Sequence, residues 1–225
     1  MPAASPPRQP ESPPSWFDGG VGRAFLDAEL GLMMPLLLRR PGLRMCWILP
    51  TEASAGRAPP VLMPGETRLW RKGEAWHVGS EPVATVPQQE MDLVVAAHVM
   101  GTAIDAKWQL DAVHAMLRPG RTAFFVELNP WSPFRWQWRG KDMYAPSVWS
   151  LAERVRDSGL AVEASYALNP SASRDSVGTL LRHDWRTPAW LPHRAFAIRA
   201  QRREPGMTAV GSSLPAGFAL GAPGG

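Results

Sequence analysis

The stretch 91–128 constrains the fold more than any other part of the chain. "MDLVVAAHVM" (91–100) and "RTAFFVEL" (121–128) are strand-length apolar runs with almost no alternation. Between them, "DAKWQLDAVHAMLRPG" (105–120) repeats apolar residues at Leu110, Val113 and Leu117, with Asp105 as a plausible N-cap and Pro119-Gly120 as an exit. Runs of the first kind are buried on both faces, as in a parallel sheet covered by helices. A strand–helix–strand unit of this type commits the chain to an α/β architecture.

The pattern recurs on both sides. "GRAFLDAELGLMMPLLLRR" (22–40) places Phe25, Leu26, Leu30 and Met33 on one helical stripe, and "LRMCWILP" (43–50) is another doubly apolar strand. Further on, "SVWSLAERVRDSG" (147–159) reads as a helix from an N-cap at Ser147 to Gly159. "LAVEASYAL" (160–168) and "HRAFAIRAQ" (193–201) follow as strands with no helix between them, which predicts an antiparallel C-terminal edge. The expected fold is a three-layer α/β/α sandwich with a mainly parallel, Rossmann-like sheet. Residues 51–90 are less regular. Their strand candidates are Val61–Met63, Arg68–Trp70 and Ala75–Val78, with a hairpin turning at Lys72-Gly73.

The 225 residues, 45% of them hydrophobic, suffice for one core. Proline-rich 1–14 and the tail 204–225 lack apolar periodicity, so they are expected to be disordered around one domain at 15–203. The net charge of +4 owes much to Arg182, Arg186, Arg194, Arg199, Arg202 and Arg203. These arginines suit either a nucleic-acid partner or a solvated face, and their spread along a strand favours the second. A single cysteine, Cys46, excludes an internal disulfide. "LGLMMPLLL" (30–38) is too short to span a bilayer, and nothing resembles a signal peptide. A soluble, cytoplasmic protein is the expectation. The five histidines are scattered, so no metal cluster stands out, and no H-E-x-x-H, P-loop or G-x-S-x-G motif occurs.

In open α/β sheets ligands bind at the carboxyl ends of the strands. His98 and Asn129 both end apolar strands on that edge, and Pro130 biases Asn129 towards an extended backbone. Asp92 lies at the opposite edge, where a structural cap is expected. After Asn129 comes "PWSPFRWQWRG" (130–140), whose Trp136, Trp138, Arg135 and Arg139 fit core, acceptor site or docking patch equally well.

Residues 91–132 resemble the second half of class I S-adenosylmethionine-dependent methyltransferases, in which a "D-L-V" strand and a helix precede "L-x-P-G-G" and another strand. They are more similar still to a bacterial subgroup with "P-H" ending one strand and "G-F-N-P-W-S" ending the next. Here those positions read "AAH" and "ELNPWS", and "WFDGGVGRAFLDAEL" (16–30) is similar to that subgroup's opening helix. The resemblance covers 16–40 and 91–201. It implies S-adenosylmethionine as cofactor and in-line transfer of its methyl group to an unidentified acceptor. His98 and Asn129 would face the reacting centre, Pro50, Thr51, Glu66 and Ala97 would lie against the cofactor, and Trp131, Arg135 and Trp136 would shape the acceptor site.

One departure stands out. The family's cofactor turn is glycine-rich, because glycines let the backbone approach the ligand closely. In "WILPTEASAGRAPP" (47–60) Pro50 stands where that turn begins, and Gly56 is the first glycine. The alternative is therefore a pseudoenzyme that has kept the fold and uses the tryptophan–arginine loop 131–139 as an interaction surface.

Overall fold

The doubly apolar runs form the middle of the sheet. In the computed structural model, which describes residues 15–39, 44–56, 65–72, 75–100, 103–138, 145–169, 178–183 and 193–203, nine strands make one sheet. They are β1 (Arg44–Leu49), β2 (Gly65–Lys72), β3 (Ala75–Val78), β4 (Glu81–Val83), β5 (Met91–Ala97), β6 (Leu117–Leu128), β7 (Leu160–Asn169), β8 (Thr179–His183) and β9 (Ala195–Arg202). Their order is β4-β3-β2-β1-β5-β6-β9-β7-β8. The expected tails, the strand candidate Val61–Met63, Arg139 and Arg186 lie outside the described residues.

Strands β2, β1, β5 and β6 run parallel, with Ile48 opposite both Leu69 and Ala96, and Ala96 opposite Phe125. Alternate residues face two separate cores. On one face Trp47, Leu49, Val95, Phe124 and Val126 pack with Phe25, Leu30, Met33 and Leu37 of helix α1 (Gly20–Leu37). On the other, Cys46, Ile48, Val94 and Phe125 pack with Leu110 and Val113 of α3 (Ala103–Met116) and with Leu151 and Val155 of α4 (Val148–Asp157). The short α2 (Glu52–Ala55) follows β1. These layers are the expected α/β/α sandwich.

Several details differ from the sequence expectations. The antiparallel C-terminal edge is present as β9-β7-β8, but strand β9 is not its outermost member. It runs antiparallel between β6 and β7, with Ala197 opposite both Val126 and Tyr166, and the edge belongs to β8, which periodicity had missed. Helix α3 begins at Ala103 rather than after Asp105, and "LRPG" (117–120) already belongs to β6. The hairpin is present, since Lys72 pairs with Ala75 in the antiparallel β2–β3 ladder. No described helix is long and apolar enough to cross a membrane.

Gly159 closes α4 at φ +88°, a left-handed conformation that glycine adopts without steric cost. Gly22 serves a different need. A Cβ built on it lies 2.2 Å from the Trp16 carbonyl oxygen, so the first turn of α1 can sit against the preceding residues only without a side chain. Gly22→Ala should lower the unfolding free energy by at least about 2 kcal/mol in urea melts, by overpacking against backbone. Gly31→Ala, on the same helix with open space around it, should raise it by about 0.5–1 kcal/mol.

Candidate active site at the carboxyl edge

β1 and β5 end side by side at Leu49 and Ala97, and the chain leaves them at Pro50-Thr51 and at His98. His98 continues the ladder by donating its backbone N–H to the Val126 carbonyl (2.8 Å), and then turns with φ +54°. Left-handed backbone is tolerated better by histidine than by most residues. The turn carries the imidazole to the α1 side of the sheet.

There His98 meets Glu29. Nε2 shares a hydrogen bond with Glu29 Oε2 at 2.6 Å, and Nδ1 faces Glu127 Oε2 at 3.9 Å. Glu29 is 0% exposed, and its second oxygen has no hydrogen-bond partner among the described residues. Glu127, on β6, accepts the Met100 N–H at 2.9 Å. An acid–imidazole–acid row thus lies buried under the edge.

Burial dominates the electrostatics of this row. It raises the Glu29 pKa by more than the charge and hydrogen bond of His98 lower it. It raises the Glu127 carboxyl to about 7, against the lowering effects of His98 and of the Met100 and Val99 amides. For His98, burial acts downwards, but the charge and hydrogen bond of Glu29, with the charge of Glu127, outweigh it and raise the pKa.

A 3-10 turn at Ser15–Asp18 lies across the same edge. Phe17, 1% exposed, stacks on His98 with ring centroids 4.5 Å apart and planes 22° from parallel. Asp18 accepts a hydrogen bond from Thr51 Oγ1 at 2.7 Å. Thr51 also caps α2, accepting the Ser54 N–H at 3.2 Å. Trp16 meets Trp138 edge-on at 6.0 Å.

The other sequence candidates are distributed as follows. Pro50 and Ala97 are buried at the ends of β1 and β5, beside the turn. Glu66 is at the amino end of β2, opposite Met45, where it accepts from Arg68 Nε at 2.6 Å. The resemblance implied a place against the cofactor, at the carboxyl edge, but β2 starts rather than ends near Glu66. The carboxyl end carries Arg71 and Lys72 instead, with the Arg71 guanidinium 4.3 Å from the Trp108 ring. Asn129 is buried, with both its amide nitrogen and its amide oxygen in use. Its amide nitrogen donates to the His193 carbonyl (3.0 Å), and its oxygen accepts the Trp131 N–H (3.1 Å).

That clamp sets up the tryptophan loop, whose 3-10 turn is Pro133–Gln137. Trp131 and Trp136 are 62% and 70% exposed and Arg135 is exposed, whereas Trp138 is buried. The loop therefore divides, with Trp138 in the core and the other two tryptophans on the rim. At the opposite edge, Asp92 accepts the Arg44 N–H (3.2 Å) and pairs with Arg118 and Arg121, as a structural cap would. The C-terminal arginines are used separately. Arg199 pairs with Glu163, Arg202 donates to the carbonyls of His114 and Leu117, and Arg194 lies over Phe134. Among the described residues no group of three or more His, Cys, Asp or Glu side chains is arranged to hold a metal ion.

Sequence reasoning missed Glu29, Glu127, Phe17 and Asp18. A signal for Glu29 existed: it sits four residues from both Phe25 and Met33, on the buried stripe of α1. A carboxylate on an apolar stripe is a sign of a buried partner.

No protein-family model matches the chain, and neither does any curated protein sequence. Solved structures do. A S-adenosylmethionine-dependent methyltransferase from Thermotoga maritima, described as a possible histamine N-methyltransferase, aligns at TM-score 0.60 and 13% identity, over 84% of this chain and 93% of its own. One from Archaeoglobus fulgidus aligns at 0.53 and 11%, over 84% and 97%. A Haemonchus contortus phosphoethanolamine N-methyltransferase, in complex with phosphomonomethylethanolamine and S-adenosylhomocysteine, aligns at 0.52 and 11%, over 86% and 61%. The chain has the class I methyltransferase fold.

The buried row predicts a pH dependence. Between the ordinary carboxyl value of 4.5 and about 7, folded Glu127 keeps a proton that the unfolded chain has lost. Raised values at Glu29 and His98 act in the same sense. Stability should therefore fall as pH rises through this window, by about 1–3 kcal/mol in urea melts between about pH 5 and pH 8. Glu127→Gln should flatten the decline, and a flat wild-type profile would contradict the assignment.

Proposed function

We propose that the chain is a methyltransferase-like protein whose carboxyl strand edge is built for S-adenosylmethionine, with methyl transfer to an acceptor still to be identified. The observation that carries this reading is the sheet itself. Four parallel strands continued by β9, antiparallel between β6 and β7, form the sheet of a chain that aligns over most of its length with structurally similar methyltransferases. The "AAH" and "ELNPWS" strand ends, at His98 and Glu127–Ser132, support the narrower likeness to the "NPWS" bacterial subgroup. His98 would sit beneath the cofactor. Trp131, Arg135 and Trp136, on the rim, would meet the acceptor. Asn129 would act through the loop it clamps, because its amide is already engaged.

The described conformation does not itself fit the cofactor. Phe17 covers His98, Asp18 holds Thr51, and the turn after β1 passes through Pro50 into a four-residue helix. Arg71 and Lys72 stand at the end of β2, where an acidic residue would hold ribose hydroxyls. The same observations favour the second reading, a pseudoenzyme that retains the fold and binds partners through the exposed tryptophans.

Isothermal titration with S-adenosylmethionine and S-adenosylhomocysteine decides between them. Binding in the micromolar range is expected. Absence of heat and of any thermal shift at millimolar ligand would overturn the cofactor reading and leave the pseudoenzyme.

A further inference from the structure

We infer that residues 15–18 form an occluding strap, with Phe17 standing where the planar ring of a nucleoside ligand would stack on His98. The inference rests on the cofactor reading above and concerns how that site is regulated.

Three observations carry it. The first is position: the strap contacts the residues that leave both β1 and β5, Thr51 and His98, and so closes the carboxyl edge between them. The second is shape: a near-parallel ring at 4.5 Å is the contact that an aromatic heterocycle would make with the same imidazole. Ligand and Phe17 therefore compete for one face. The third is attachment. The strap joins α1 through Gly19 and Gly20, neither of which has a side chain to restrict the junction, and a Cβ on Gly20 would meet nothing within 4 Å. Gly19-Gly20 thus gains a role as a hinge.

The helix behind the hinge need not move. Glu29 ties α1 to His98 Nε2, at the ring's edge, so displacing Phe17 frees the ring's face without breaking that bond. A strap that must open reduces apparent affinity by the fraction of molecules in which it is open. Loosening it should then tighten binding.

The test is titration of S-adenosylhomocysteine into the full-length chain and into Phe17→Ala and Asp18→Ala. Phe17→Ala should bind about tenfold more tightly than wild type, or bind where wild type does not. Asp18→Ala, which removes one hydrogen bond at an exposed residue, should bind about threefold more tightly and keep the fold if loss of Phe17 does not. Weaker or unchanged binding in the folded variants, with wild type binding, would overturn the strap: Phe17 would then be a pocket wall, and the cofactor reading would stand. No binding by any form would overturn both.

Discussion

The hydrogen bond between Glu29 and His98 joins the helix layer to the strand edge, and the arrangement of the site depends on it. A carboxylate placed in an apolar core is expensive unless it is paired, so α1 can lie on the sheet only in the register that brings Glu29 to an imidazole. That register determines where α1 begins, and hence where Trp16, Phe17 and Asp18 fall. It also explains the left-handed turn at His98: the side chain must leave the strand's alternation to reach the helix side. Glu127 completes the row from β6 and holds the Met100 amide, so the segment after β5 is anchored from α1 and from β6.

Apolar rhythm revealed most of the architecture. The runs at 43–50, 91–100 and 121–128 are central strands, and the stripe Val148, Leu151, Ala152, Val155 is the buried face of α4. The position of β9 was not legible, because strand order depends on pairing between distant segments, and periodicity reports only which faces are buried. β8 was missed for a related reason. An edge strand is buried on one side at most, and Leu181 is exposed.

The candidate site was legible as an edge and not as a set of contacts. The sequence placed His98 and Asn129 correctly at strand ends, but the commitments of both side chains, to Glu29 and to the loop, arise from residues far along the chain. Glu66 was misplaced because the irregular stretch before β2 offers no periodic signal for where the strand starts. The tryptophan loop could not be divided by sequence, since Trp136 and Trp138 are two residues apart. Only the 3-10 turn decides that Trp138 points to Trp16 and Trp136 outward.

The place of β9 has a consequence for how the molecule is made. The strand that emerges last among those described fills a slot between two earlier ones, hydrogen-bonding to β6 on one side and β7 on the other. Until it arrives, both neighbours present a bare row of backbone donors and acceptors flanked by apolar side chains. Such exposed edges invite pairing between chains. A ribosome-bound or truncated chain lacking residues 195–202 would carry two adhesive borders inside one sheet. Such a chain should aggregate more readily than the full-length one.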